Sequence, residues 1–198
     1  MNFKKEDFAA AIGLWTDWNS KINVVSRKDT DSLFEHHVLH SLAIAEYLSR
    51  KGMLPLNGSV LDLGTGGGFP GIPLAMVMPE THFILCDSIA KKIKVARAVA
   101  EGIGLKNVTF ANARAESLDE KFDWVVSRAV ASLDDFYPLV RDRFRNGILY
   151  LKGGDVNSEI ARMCSHWRVD PGKIAVWPVS EWLPDDYFKE KFVIHIKK

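Results

Sequence analysis

Two apolar rhythms divide the chain. Near the start, Phe8, Ile12, Trp15, Trp18 and Ile22 recur at spacings of three and four, which places them on one face of a helix. A polar break follows, Ser26-Arg27-Lys28-Asp29-Thr30. A second helix is expected from Ser32, where Ser32-x-x-Glu35 has the spacing of a capping box. Its stripe is Phe34, Val38, Leu42, Ala45 and Leu48, and Gly52 is the expected stop. From Asn57 onward, short apolar runs alternate with helical stretches. Runs at 60–63, 83–86, 108–110, 124–126 and 148–151 read as strands, and stretches at 88–101, 134–143 and 158–164 as helices. Short apolar strands separated by helices predict an α/β fold, a parallel sheet with helices on both faces. The runs at 174–177 and 192–195 have no helix between them and flank Pro184, Asp185 and Asp186, which predicts an antiparallel pair at one edge.

The strongest local signal is the run Asp62-Leu63-Gly64-Thr65-Gly66-Gly67-Gly68-Phe69-Pro70-Gly71. It follows the first strand and opens a helical stretch, as a glycine-rich ligand turn must. Pro70 suits the first turn of that helix. A ligand is expected at the carboxyl end of this strand. Gly66-x-Gly68-x-x-Gly71 formally matches a dinucleotide fingerprint, but Asp62 beside the turn would repel a pyrophosphate and attract an ammonium group. No Gly-Lys-Ser/Thr follows, so this is not a P-loop. The D-x-G-x-G-x-G pattern resembles the first motif of class I S-adenosylmethionine-dependent methyltransferases, whose cofactor carries an ammonium and no phosphate. Asp87 ends the second strand and can accept from ribose hydroxyls, a device common to both cofactor classes. Ala115 and Glu116 follow the third strand, where methyltransferases contact adenine.

Composition narrows the picture only modestly. The chain has 198 residues, 47% hydrophobic and 26% charged, with a net charge of +1. This fits one globular domain and leaves any basic surface local. Cys86 and Cys164 form no C-x-x-C and read as packing cysteines in a reduced protein. The acidic start and the absence of a long uncharged apolar run predict a cytoplasmic protein with no membrane partner. His36 and His40 share a helical face but lack a third ligand, so no metal is expected.

Absent motifs restrict the acceptor. After the fourth strand the chain reads Val125-Val126-Ser127-Arg128-Ala129-Val130, not the N-P-P-Y of exocyclic-amine methyltransferases. Neither cysteine has the setting of a covalent nucleophile. The pattern suits an acceptor atom that already carries a lone pair, such as guanine N7. Arg128 could bind a carboxylate or guide substrate, or pair with Asp123 or Asp134. Lys152 could contact a phosphate or base, or be a solvated strand-end lysine. The clusters Lys91, Lys92, Lys94, Arg97 and Arg141, Arg143, Arg145 read as solvated faces.

Longer runs resemble one family. These are Asn23-Val24-Val25-Ser26, Glu35-His36-His37-Val38-Leu39-His40-Ser41-Leu42 and Gly64 through Leu74. Asp87-Ser88 with Lys91-Lys92, Arg114-Ala115-Glu116, Val126-Ser127-Arg128-Ala129 and Leu151-Lys152-Gly153 extend the match. Together they are similar to the bacterial small-subunit ribosomal RNA guanine-N7 methyltransferases, also called glucose-inhibited division protein B. The resemblance implies a Rossmann-like class I methyltransferase sheet with an N-terminal helical cap at residues 1–57 and a catalytic core at 58–198. It implies methyl transfer from S-adenosylmethionine to guanine N7 in the decoding-region loop of 16S rRNA, by a monomer acting on that RNA or on the small ribosomal subunit. Cofactor contacts are implied at Asp62, Gly64, Gly66, Gly68, Phe69, Asp87, Ala115, Glu116 and Arg128. Arg128 and Lys152 would orient the substrate, with no general base. RNA contacts are implied at Asn23, Arg27, Lys28, His37 and Lys152. One departure stands out: many members have Asp where this chain has His40. Three rival readings remain: a methyltransferase acting on a protein or small molecule, a nicotinamide-dependent oxidoreductase, and a non-catalytic RNA-binding scaffold.

Overall fold

The computed structural model describes residues 1–26, 29–54, 58–128 and 130–198. A short 3-10 turn at Lys5–Phe8 leads into α1 (Ala9–Asn19). A π-helical segment, Phe34–Leu39, runs directly into α2 (His40–Arg50). The expected capping box is absent: the segment starts after Leu33, whose backbone is already helical. The expected stop at Gly52 is present, with φ +64°. Gly52 N–H donates to Ser49 and Met53 N–H to Leu48, which satisfies the last free carbonyls of α2.

Then come β1 (Ser59–Leu63), α3 (Gly71–Val77), β2 (His82–Cys86), α4 (Ala90–Gly102), β3 (Val108–Ala111), β4 (Phe122–Arg128), α5 (Leu133–Val140), β5 (Phe144–Gly153), α6 (Val156–Trp167), β6 (Ile174–Pro178) and β7 (Lys191–Lys197). They form one seven-stranded sheet in the order β3-β2-β1-β4-β5-β7-β6. The first five strands are parallel, and β7 runs antiparallel between β5 and the edge strand β6. The antiparallel pair thus sits at one edge, as the missing helix predicts. Pro70 caps α3 one residue before it begins, rather than lying within its first turn.

Strand alternation sends successive side chains to opposite faces. Val60, Trp124, Val126, Leu149 and Leu151 face a core shared with α1, α2, α3 and α4. Leu61, Val125, Ile148 and Tyr150 face a second core shared with α5 and α6. Residues of α1 and α2 therefore bury their stripes in the same core as the sheet. The junction expected at residue 57 lies outside the described residues. Among the described residues, no helix is long and apolar enough to cross a membrane.

Candidate active site

A cavity of about 540 Å³ opens at the carboxyl ends of β1, β2 and β4. Open parallel sheets bind ligands in this crevice, where the strand order reverses around the first strand. Gly64, Gly66, Phe69, Asp87, Ala115, Glu116 and Arg128 line it, with Val24, Ser88, Ile89, Lys92 and Val130.

One wall is built from backbone. Gly64 has φ +73°, and a β-carbon there would lie 2.3 Å from Val130 Cγ2. Gly66 has φ +57° and open space at its α-carbon, so a ligand can approach the chain closely. Asp87 closes this wall: its Oδ2 accepts from Gly66 N–H at 3.0 Å and its Oδ1 from Ile89 N–H at 2.8 Å.

Asp62, expected against an ammonium group, is fully buried and lines no part of the cavity. Its Oδ2 accepts from Thr65 Oγ1 at 2.6 Å and from Gly71 N–H at 2.8 Å, which ties the start of the turn to its end. Burial pushes its pKa up to about 7, against the lowering effect of both bonds. Strand alternation explains the correction: Asp62 points into the layer between sheet and α3, not toward the cavity mouth. Gly68 is likewise off the cavity, where a side chain would strike Ile72 Cδ1 at 2.3 Å.

The N-terminal segment reaches this wall directly. Trp15 Nε1 donates to the carbonyl of Gly67 at 2.7 Å, and its ring stacks on Phe69 at 4.4 Å. Asn19 Oδ1 accepts from Val24 N–H and Val25 N–H at 2.8 and 3.1 Å, and Val24 packs over Gly67. The helical spacing of Trp15 predicts its buried face but not this bond, because an indole N–H partner 52 residues away leaves no local signal.

The opposite wall is built from side chains. Arg128, at the end of β4, is half-buried with its guanidinium 4.9 Å above the Phe69 ring. Its Nη2 donates to His37 Nδ1 at 2.9 Å. Burial holds His37 down at about 3, with the Arg128 charge acting the same way, so its ring is neutral and Nδ1 can accept. Burial also lowers Arg128, to about 10, which leaves it charged at neutral pH. Among the described residues, no carboxylate forms an ion pair with Arg128, and neither Asp123 nor Asp134 does. His37 supports this arginine and sits 9% exposed off the cavity lining, as a packed, hydrogen-bonded residue near the cavity mouth rather than at the RNA contact that the resemblance implies. His40 is buried beside Tyr187 and Phe188 and held well below 6.5 by burial, with the Arg128 charge acting the same way.

Lys152 also departs from expectation. Its Nζ donates to the carbonyl of Ala131 at 2.8 Å and pairs with Glu159 at 3.2 Å, away from the cavity. Glu159 accepts from Leu133 N–H at 3.0 Å. Tyr150 Oη accepts from Val130 N–H and Ala131 N–H and donates to the Ala131 carbonyl. Three side chains from β5 and α6 thus clamp the loop after β4, whose Val130 lies over Gly64. Asn23 is exposed, and Arg27 and Lys28 lie outside the described residues. Among the described residues, no group of three His, Cys, Asp or Glu side chains could hold a metal.

The strand order, the crevice and the glycine wall define a class I S-adenosylmethionine-dependent methyltransferase fold. Solved structures bear this out. Magnesium protoporphyrin IX methyltransferase from Synechocystis aligns over 100% of both chains at TM-score 0.66 and 14% identity. A SAM-dependent methyltransferase from Aquifex aeolicus aligns at TM-score 0.60 and 16% identity, over 86% of this chain and 95% of that one. The chain belongs to the GidB family, rRNA small subunit methyltransferase G, whose model matches residues 4–179. Relatives named ribosomal RNA small subunit methyltransferase G support the assignment. The one from Phocaeicola vulgatus is 47% identical over 98% of this chain and 91% of its own length. The one from Parabacteroides distasonis is 54% identical over 79% of this chain and 70% of its own length.

Proposed function

We propose that this protein transfers the methyl group of S-adenosylmethionine to N7 of a guanine in the decoding-region loop of 16S rRNA, as a cytoplasmic monomer. The observation that supports it best is the meeting, in one cavity, of groups from successive strand ends: the Gly64–Gly66 turn, Asp87, Ala115 with Glu116, and Arg128.

These residues fit the cofactor. Arg128 is a charged donor facing the cavity without a carboxylate partner, which suits the methionine carboxylate. Gly66, open at its α-carbon, admits the methionine chain against the backbone, and Gly64 makes room for Val130 beside it. Asp87 keeps lone pairs free beside its two N–H bonds and suits the ribose hydroxyls. Ala115 and exposed Glu116 stand where the adenine would lie. Asp62 acts at one remove, by holding the turn closed. The bound cofactor supplies an electrophilic methyl on a sulfonium sulfur. An acceptor that carries its own lone pair, such as guanine N7, would need only to be held in line with that methyl by the cavity walls. No proton moves in this step, so the cavity needs alignment and dryness rather than a base. Phe69 and Val130 supply apolar walls, and Phe69 is held in place between Trp15 and Arg128.

The test is transfer of labelled methyl to unmethylated small-subunit particles and to stripped 16S rRNA, followed by borohydride–aniline cleavage at N7-methylguanine. One cut, in the decoding-region loop, is expected. Label without a cut would refute the N7 assignment, and no label in RNA would redirect the reading to a protein or small-molecule acceptor.

A further inference from the structure

At the far end of the sheet from the cavity, a groove of about 350 Å³ lies between the end of α5, the start of β5, the end of α6 and the end of β7. It is lined by Arg141, Arg168, Lys173, Lys197 and Lys198, against one acidic side chain, Asp170. In a chain of net charge +1, this is a marked local excess of positive charge. Among the described residues, Arg168, Lys173, Lys197 and Lys198 form no ion pair, whereas Arg141 pairs with Asp142 at 3.3 Å. Asp170 is engaged locally, accepting from Gly172 N–H at 2.9 Å.

Arg168 adds an independent observation. It is the only non-glycine residue with positive φ among the described residues, at φ 54° and ψ 41°, where it ends α6. Glycine fills such helix-ending positions without strain. An arginine held there accepts a backbone cost and places a fixed charge on the groove, the pattern by which strain marks functional positions. Lys197 and Lys198 lie beyond residues 4–179, so the groove is assembled partly from chain that the family model does not match.

We propose that this groove is a second RNA-contact surface, which takes backbone phosphates of the substrate RNA away from the acceptor guanine. The proposal rests on the methyltransferase reading above. From Phe144 to Leu151 along β5, groove and cavity stand roughly 20 Å apart at about 3.3 Å per residue, so the two sites engage different stretches of RNA. Lysines and arginines that neutralise phosphates release counterions, and binding then weakens steeply with salt.

The experiment measures KM for unmethylated small-subunit particles across a salt series. It compares the full-length protein with the triple variant Arg168→Gln/Lys173→Gln/Lys197→Gln and the single variant Arg168→Gly. The triple variant is expected to raise KM about tenfold near 0.1 M salt and to flatten the salt slope by about three, since each lost phosphate contact removes roughly one. Its affinity for S-adenosylhomocysteine should be unchanged. Arg168→Gly should raise the melting temperature, because glycine relieves the left-handed strain, and at the same time raise KM. A merely structural arginine would not move stability and affinity in opposite senses. Unchanged KM and slope in the triple variant, with wild-type transfer intact, would overturn the proposal. A raised KM with an unchanged slope would point to a protein partner on the particle and would overturn it too. No transfer by the wild-type protein would instead remove the reading on which it rests.

Discussion

The two walls of the cavity are made in different ways. The glycine wall is backbone held by short-range bonds: Asp62 reaches Thr65 and Gly71, three and nine residues on, and Asp87 reaches Ile89 and, 21 residues back, Gly66. The arginine wall is side chains held by distant partners: Arg128 meets His37 across 91 residues, and Lys152 and Tyr150 meet the loop at 130 and 131 across about twenty. One wall takes its shape from bonds within and next to the turn, with Trp15 pinning Gly67 from 52 residues away as its long-range side-chain hydrogen bond. The other exists only once three separate elements have docked. A local wall can be damaged at its own residues, whereas the assembled wall can be damaged from any of its supports.

Acidification separates the walls most strongly. Burial holds His37 at about 3, His195 at about 4 and His40 well below 6.5. At pH 5 to 6 His37 and His195 are neutral when folded and mostly protonated when unfolded, so their contribution is full above about 6.5 and falls as pH drops. Asp62, raised to about 7, acts oppositely: folding takes up its proton below 7, and this stabilises the fold on acidification. His37 and His195 against this one carboxylate leave a net loss that approaches about 1.4 kcal/mol per pH unit between pH 6 and 5, and His40 acts in the same sense as the other histidines. Urea unfolding across this range checks it. Asp62→Asn should steepen the slope by about 1.4 kcal/mol per unit. A variant profile parallel to the wild type would mean that Asp62 is ionised in the fold.

Arg128→Met addresses the assembled wall alone. Loss of a charged donor should weaken S-adenosylhomocysteine binding by about 10- to 100-fold. Calorimetry reads this, and unchanged affinity would detach Arg128 from the cofactor. Lys152→Met is expected to do less. It leaves Tyr150 on the loop and should lower kcat for methyl transfer by about three- to tenfold, with S-adenosylhomocysteine affinity intact, because the loop bearing Val130 loosens on the acceptor side. Equal loss of cofactor affinity would show that the clamp serves both walls.

Legibility followed the same division. Strand and helix positions in the alternating part were visible because burial on both faces demands apolar runs. The glycine turn, Asp87, Ala115 and Glu116 are legible because each follows the end of a separate strand, β1, β2 and β3 in turn. The π-helical entry to α2 was hidden, since Ser32 and Glu35 carry a capping pattern that the backbone does not use. The bonds of Asp62 run to the turn rather than to an ammonium group, and Lys152 is neither a ligand contact nor a solvated strand-end lysine but a clamp on the loop after β4.

By itself the sequence determined the sheet with its antiparallel edge, the family likeness and the glycine wall, because these depend on residue type and spacing within one or two elements. The tertiary structure alone decided that Trp15 pins the turn at Gly67, that His37 serves Arg128 rather than RNA, and that Arg168, Lys173, Lys197 and Lys198 converge on one groove. The physical reason is directional. Hydrogen bonds and charge clusters need donors and acceptors brought together in space, and that placement is set by how the helices pack on the sheet, not by their order along the chain.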